Sequence, residues 1–439
     1  MTSRTAPRRT LIVLIAWLLA VVAAGAAARA GVNTDPVFSD PSRVTNPLFP
    51  ASRVDQLVHL GVEAGELSRF EVTRLPGTKA ITFGGRTVQA LRVQFLASSD
   101  STIVEVATDY FAQADDGTVW YLGENVSGYE NGVVATHEGT WVTGTRRPDG
   151  RLFAPGVIMP AEPAVGDVFF PENNPPFVFE KVTVKATGLT LPDGPRGTIG
   201  GALRTREDLL DGSSEEKLFA PGYGEFTARV PFGAANPEEL TNVAVAAPVD
   251  RAGTSLPSQL STMAGAADAG FEAIDEAGWA AAGQRLATLT SAWRSHRAAL
   301  AAGKLVPLLV EQMDDALATL GDAVDAHARA RALQAVVRAA KAVDDLELRY
   351  LPAATVDLAR LDAWARQALA DTDRHDTAGL RGDSAYLDQV WVRARHTVAS
   401  TPRAAIEADL RELRTAAADK RLKDAETAAD ALRATLRSL

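Results

Sequence analysis

Near residues 248–257 the period of the hydrophobic pattern changes, and this restricts the chain to two kinds of architecture in series. Before the change, Gln89, Leu91, Val93 and Phe95 alternate with Ala90, Arg92 and Gln94. In the same way Val104, Val106, Thr108 and Tyr110 alternate with Ile103, Glu105, Ala107, Asp109 and Phe111. A period of two belongs to strands whose two faces meet different surroundings. After the change, Ala282, Leu286, Leu289, Trp293 and His296 recur at steps of four, three, four and three, which is one stripe of an amphipathic helix. Aromatic residues follow the same division: of 28, 20 lie between 31 and 254 and only 7 from 255 onward. Flat, bulky side chains suit a pleated surface, so this bias strengthens the strand reading of the first part.

The turns decide which kind of sheet forms. Asp116-Gly117 and Asn131-Gly132 are dipeptides that accept the positive φ angles of tight hairpins, and Pro148-Asp149-Gly150, Pro155-Gly156, Pro192-Asp193-Gly194 and Pro221-Gly222 add further punctuation. Connections this short leave no room for crossover helices. Residues 31–250 are therefore expected to form an antiparallel meander curled into a barrel or half-barrel, with 251–257 as a linker. Residues 258–439 read as all-α, in Ala-rich stretches broken near Gly303, Pro352 and Pro402. They also repeat. A shift of 98 positions carries Leu289, Trp293 and Arg297 onto Leu387, Trp391 and Arg395, and one of 93 carries Leu317, Leu320 and Ala323 onto Leu410, Leu413 and Ala416. Two successive four-helix units are expected, 258–351 and 352–439. The fold class is α+β multidomain.

Residues 1–30 have the grammar of an export signal. Arg4, Arg8 and Arg9 precede an apolar run from Leu11 to Ala28, and Ala28-Arg29-Ala30 offers a small-x-small cleavage pattern before Gly31. An uncleaved anchor is the other reading of the same run. The mature chain is thus expected outside the cytoplasm, secreted or in the cell envelope. With 45 Lys plus Arg against 55 Asp plus Glu the net charge is −10, which opposes binding to phosphate backbones, so no nucleic-acid partner is expected. The chain has no Cys, which removes disulfides, thiolate nucleophiles and thiolate metal sites. It also lacks the G-x-S-x-G elbow, the G-x-x-x-x-G-K-[ST] phosphate loop and a G-x-G-x-x-G opening a helix. His137-Glu138 starts like a zinc-protease helix, but no second His follows at the required spacing. No catalytic residue and no cofactor is expected.

Several separated motifs carry a family resemblance. They are Asn46-Pro47-Leu48-Phe49-Pro50, Asp109 to Gln113, Asp116 to Glu124, Tyr129 to Gly132, Glu138 to Trp141, Pro155 to Ala161 and Phe219 to Glu225. Over residues 46–230 the chain resembles a family of secreted bacterial β-domain proteins of uncharacterised activity. The resemblance implies an extracytoplasmic β-domain and supplies no catalytic residues.

The hairpins bring a candidate site together. If Asp116-Gly117 is a two-residue loop, Gln113 lies opposite Trp120, Phe111 opposite Leu122 and Asp109 opposite Glu124; if Asn131-Gly132 is another, Val126 lies opposite His137. One face then carries Glu105, Asp109, Phe111, Trp120, Glu124, His137 and Trp141. Like charges opposed on a sheet require relief by water, a proton, a cation or a basic ligand. Glu105, Asp109, Phe111, Trp120, Glu124 and Trp141 are accordingly candidates for an acidic, aromatic pocket taking a cationic small molecule, and Asp109, Glu124 and His137 for a metal-cation site. A solvated sheet face is the other reading of the same residues. A longer loop at 114–117 would set the two carboxylates diagonally. The expected function is an exported, non-enzymatic binding protein of the envelope, the β-domain serving as receptacle and the helices as docking scaffold. Its partner is an unknown small ligand or envelope protein, with membrane contact only through an uncleaved leader. Metal binding is the alternative, and acid–base hydrolysis by paired carboxylates a third reading.

Overall fold

The computed structural model describes residues 35–300 and 307–439, so the expected leader and the expected helix break at Gly303 lie outside the described residues. Fourteen strands come first: β1 (Gln56–Glu63), β2 (Glu66–Phe83), β3 (Arg86–Ser99), β4 (Thr102–Gln113), β5 (Val119–Glu130), β6 (Val133–Thr136), β7 (Trp141–Val142), β8 (Gly156–Met159), β9 (Val168–Asn174), β10 (Val178–Gly194), β11 (Gly197–Leu209), β12 (Ser214–Ala220), β13 (Gly224–Val230) and β14 (Glu239–Ala247). They form one antiparallel sheet in the order β6-β5-β4-β3-β2-β1-β14-β13-β12-β11-β10-β9, with β7 and β8 both on β5. Two meanders are thus joined where β1 pairs β14. The sheet curls but does not close. At the seam, side chains replace ladder bonds: the Asn174 amide on β9 accepts from the Ala154 N–H at 2.8 Å and donates to its carbonyl at 3.0 Å. Nearby, the Trp141 indole donates to Glu172 at 2.8 Å.

Eight α-helices follow: α1 (Ser258–Asp275), α2 (Trp279–Ala299), α3 (Pro307–Asp325), α4 (Arg329–Glu347), α5 (Ala353–Asp373), α6 (Thr377–Ala394), α7 (Ser400–Ala418) and α8 (Leu422–Arg437). The repeated residues Trp293 and Trp391 fall on α2 and α6, four helices apart in the series. The helical hairpins turn alike. Ala277, His327, His375 and Lys420 each hold φ between 52° and 59° just past a helix end, the left-handed residue that closes a C-terminus. Pro352 precedes α5 as its N-cap. The break expected near Pro402 falls at Val398 and Ala399, and Pro402 itself lies in the first turn of α7, where no intrahelical donor is missed.

The helices cover the convex face of the sheet. Residues of α1–α4 share a core with Val58, Ala244, Val245 and Ala247, and those of α5–α8 share one with Leu96, Ile103 and Val106. Each large apolar side chain buried here contributes roughly 1.5–3 kcal/mol. Between the layers runs a buried polar network. Arg393 on α6 donates to Glu71 on β2 and to Gln94 on β3, Tyr386 donates to Glu71 at 2.8 Å, and Arg360 on α5 donates to Gln56 on β1. Arg69 on β2 grips Asp345 on α4 with bonds of 2.7 and 2.8 Å. Burial alone would raise the Glu71 carboxyl, but the guanidiniums of Arg69, Arg393 and Arg360 outweigh it and hold Glu71 well below the usual range.

Candidate functional site

The concave face encloses a cavity of about 540 Å³. Seven carboxyl side chains line it (Glu63, Glu105, Asp109, Glu180, Glu215, Glu225 and Glu239) against two basic ones, Arg74 and Lys217. Phe70 and Phe95 stack with centroids 5.4 Å apart, Phe111 and Tyr121 at 4.9 Å, and all four reach the cavity. The site is therefore an acidic chamber with aromatic walls.

Asp109 and Glu124 are directly opposed across β4 and β5, but by a different route from the two-residue loop. The connection is longer, spanning 114–118, and pairs Gln113 with Val119 and Phe111 with Tyr121. A bulge then restores the Asp109–Glu124 register, and Gly123, at φ 124°, supplies the backbone conformation it needs. Contrary to expectation, Trp120 therefore does not share the face of Asp109. Trp120 pairs with Ala112 on the face away from Asp109, where its ring meets Phe38 edge-on at 6.5 Å. Tyr121 takes the place expected of its neighbours, and its hydroxyl donates to Asp109 at 3.3 Å.

Of the other expected residues, Glu105, Asp109 and Phe111 line the cavity. Glu124 and Trp141 stand behind its wall, where β5 and β7 approach β9. There Glu124 is hydrogen-bonded to Glu172, which also accepts from Trp141. Burial, with Asp109 and Glu172 adding to it, pushes Glu124 well above the usual carboxylate range, so Glu124 holds a proton and donates it to Glu172. Burial likewise pushes Asp109 to about 7. His137 is not assembled with them. It is exposed beyond the end of β6, and its Nδ1 lies 2.7 Å from the Val126 carbonyl. The set Asp109, Glu124 and His137 does not form, and no group of three or more His, Asp or Glu able to hold a metal ion occurs among the described residues.

The opposite wall was not found by sequence reasoning. Lys217 on β12 lies 2.8 Å from Glu207, 3.4 Å from Glu225 and 3.7 Å from Glu215. Burial lowers its pKa, but the carboxylates outweigh burial and hold it well above the ordinary value. Five acids share this cation, because Glu180 and Glu239 face it too. Burial, then Glu215 and Glu63, pushes Glu239 to about 7, and burial raises Glu207 well above its ordinary value. His59, 4% exposed, is lowered by burial and is neutral, with Nε2 3.1 Å from the Glu225 carbonyl. The signal was present in Glu215 and Lys217, charges at alternate positions of one strand, which put both on the same face.

No family model matches the chain, and no curated protein matches it. Among solved structures it is similar to a "putative lipoprotein" from Parabacteroides distasonis ATCC 8503, at 13% identity and a TM-score of 0.24, over 45% of this chain and 97% of that one. An overlap of that quality carries no argument about chemistry. No described helix is long and apolar enough to cross a membrane.

Proposed function

We propose that this is an exported, non-enzymatic binding protein of the cell envelope whose concave sheet takes a small organic cation. One observation carries the reading: seven carboxyl groups and six Phe and Tyr rings converge on one cavity with only Arg74 and Lys217 to balance them. A cation entering it supplies the counter-charge that lets these buried acids ionise. Asp109 and Glu239, both pushed to about 7, then release protons as the ligand binds. The stacked pairs add attraction for an alkylammonium group. The leader pattern of residues 1–30 and the motif resemblance to secreted β-domain proteins support export. The outer surface of the helical layer is the docking face for an envelope partner.

Calorimetric titration with spermidine and tetramethylammonium in two buffers of different ionisation enthalpy tests the reading. The expected result is binding with proton release near pH 7, weakened about tenfold by Asp109→Asn. Failure of both cations to bind, or equal binding of uncharged analogues, would overturn it.

A further inference from the structure

A second cavity, of about 790 Å³, lies on the other side of the sheet, between the β1–β2 hairpin and helices α3, α4 and α5. This volume is in the range of small-ligand sites. The outer part of its hairpin wall is an open apolar strip, with Val62 46% and Leu67 64% exposed and Leu60 and Ala316 continuing inward, while Ser68, Arg69 and Glu71 line the deeper part. Two polar atoms of its lining, Lys341 Nζ on α4 and Gln312 Oε1 on α3, are buried without a hydrogen-bond partner. An unpaired buried polar atom is costly, so each such atom in a cavity marks a place for a partner.

The groups around the Lys341 amine explain why it lacks one. Its Nζ lies 3.1 Å from the centroid of the Trp364 ring. Asp383 on α6, Asp371 on α5, and Arg69 and Glu71 on β2 all act on it, and Arg360 on α5 and Asp315 on α3 line the same cavity. The buried anions are committed elsewhere. Glu71 is paired with Arg69 and Arg393, while Asp383 is hydrogen-bonded to Asp371 and raised, chiefly by burial, so that it keeps its proton. Arg69 and Arg360 are both bound to Asp345. Desolvation therefore dominates at Lys341 and lowers its pKa to about 7.

We infer that this cleft is a second ligand site, for an amphiphile with a carboxylate head that pairs with the Lys341 amine and a short aliphatic chain that lies along Leu60, Val62, Leu67 and Ala316. The proton balance favours this class. A carboxylic acid meeting the neutral amine transfers its proton from oxygen to Nζ, giving an ammonium–carboxylate pair of zero net charge, so no uncompensated charge is buried. Above about pH 7 both the free amine and the free carboxylate lack that proton, and binding must take one from solvent.

Octanoate serves as the probe, titrated calorimetrically into the purified protein with octylamine as the opposite-charge control. The site predicts saturable octanoate binding, a dissociation constant that rises about tenfold between pH 7.5 and 8.5, and at least a tenfold loss in Lys341→Met. Octylamine, whose ammonium is expected at the concave cavity, should bind equally with and without Lys341→Met. Binding of octanoate that is unchanged in Lys341→Met, absent altogether, or flat across that pH interval would overturn the inference. Should Lys341→Met fail to fold, the pH dependence of the unsubstituted protein decides.

Discussion

Asp109 shows how a sheet face can hold an acid that ionises only near neutral pH. Its carboxyl borders a cavity, yet burial outweighs the hydroxyl of Tyr121 and pushes its pKa from 3.8 to about 7. An acid shifted upward binds more protons folded than unfolded between those values. Stability therefore falls as pH rises through that window, with no cost below the unfolded pKa and the full cost above about 7. Asp109→Asn removes the titration and is expected to stabilise the protein by about 2 kcal/mol near pH 8, and to change little near pH 3.5. Urea denaturation at the two pH values measures it, and an equal effect at both would contradict the burial account. The opposition of Asp109 and Glu124 was legible in the sequence, because alternation and a turn dipeptide restrict the register to a few choices. The bulge at Gly123 was not. A single inserted residue reverses which face its neighbours occupy, and that is why Trp120 and Tyr121 exchange roles.

At the scale of elements, local chemistry explains the turns, and contacts distant in sequence explain why some of them matter. Asn131 and Gly132 hold φ of 51° and 74° and form the two-residue hairpin loop their types call for. The tip of that loop rests on α6: a Cβ on Gly132 would lie 2.3 Å from the Gly382 nitrogen. Gly85 in the β2–β3 turn has the same φ of 74° with nothing within 4 Å of the added atom. Gly85→Ala should then cost only the left-handed strain, about 1 kcal/mol, and Gly132→Ala about 2 kcal/mol or more because the hairpin must also lift from the helix. Thermal unfolding of the two variants compares them directly; equal losses would mean that the hairpin does not bear on α6. The helix repeat was visible from the stripe residues. The four left-handed turn residues that close its hairpins were not, since none is Gly.

The described residues form a curved sheet with its concave face open to a cavity and its convex face packed against the helical layer. Gln56, Glu71 and Gln94 on the strands are 1% exposed or less, and their partners come from α5 and α6. Removing the helices would leave these groups and Val58, Leu96, Ile103 and Val106 in water without their counterparts. A fragment ending at residue 252 is therefore expected to show no cooperative unfolding alone, and to recover it on mixing with a fragment comprising 253–439. Calorimetry of each piece and of the mixture tests this; independent cooperative transitions in both pieces would show that the layers fold separately. Local periodicity, turn chemistry and composition settled the order of elements, strands before residue 250 and helices after it, because each depends only on residues close in the chain. Which face of the sheet is covered depends on pairings hundreds of positions apart, as in Arg360 with Gln56, and which acids share Lys217 depends on the register of several successive strands. Such pairings are fixed by packing and desolvation in the folded molecule, and no short window of sequence contains them.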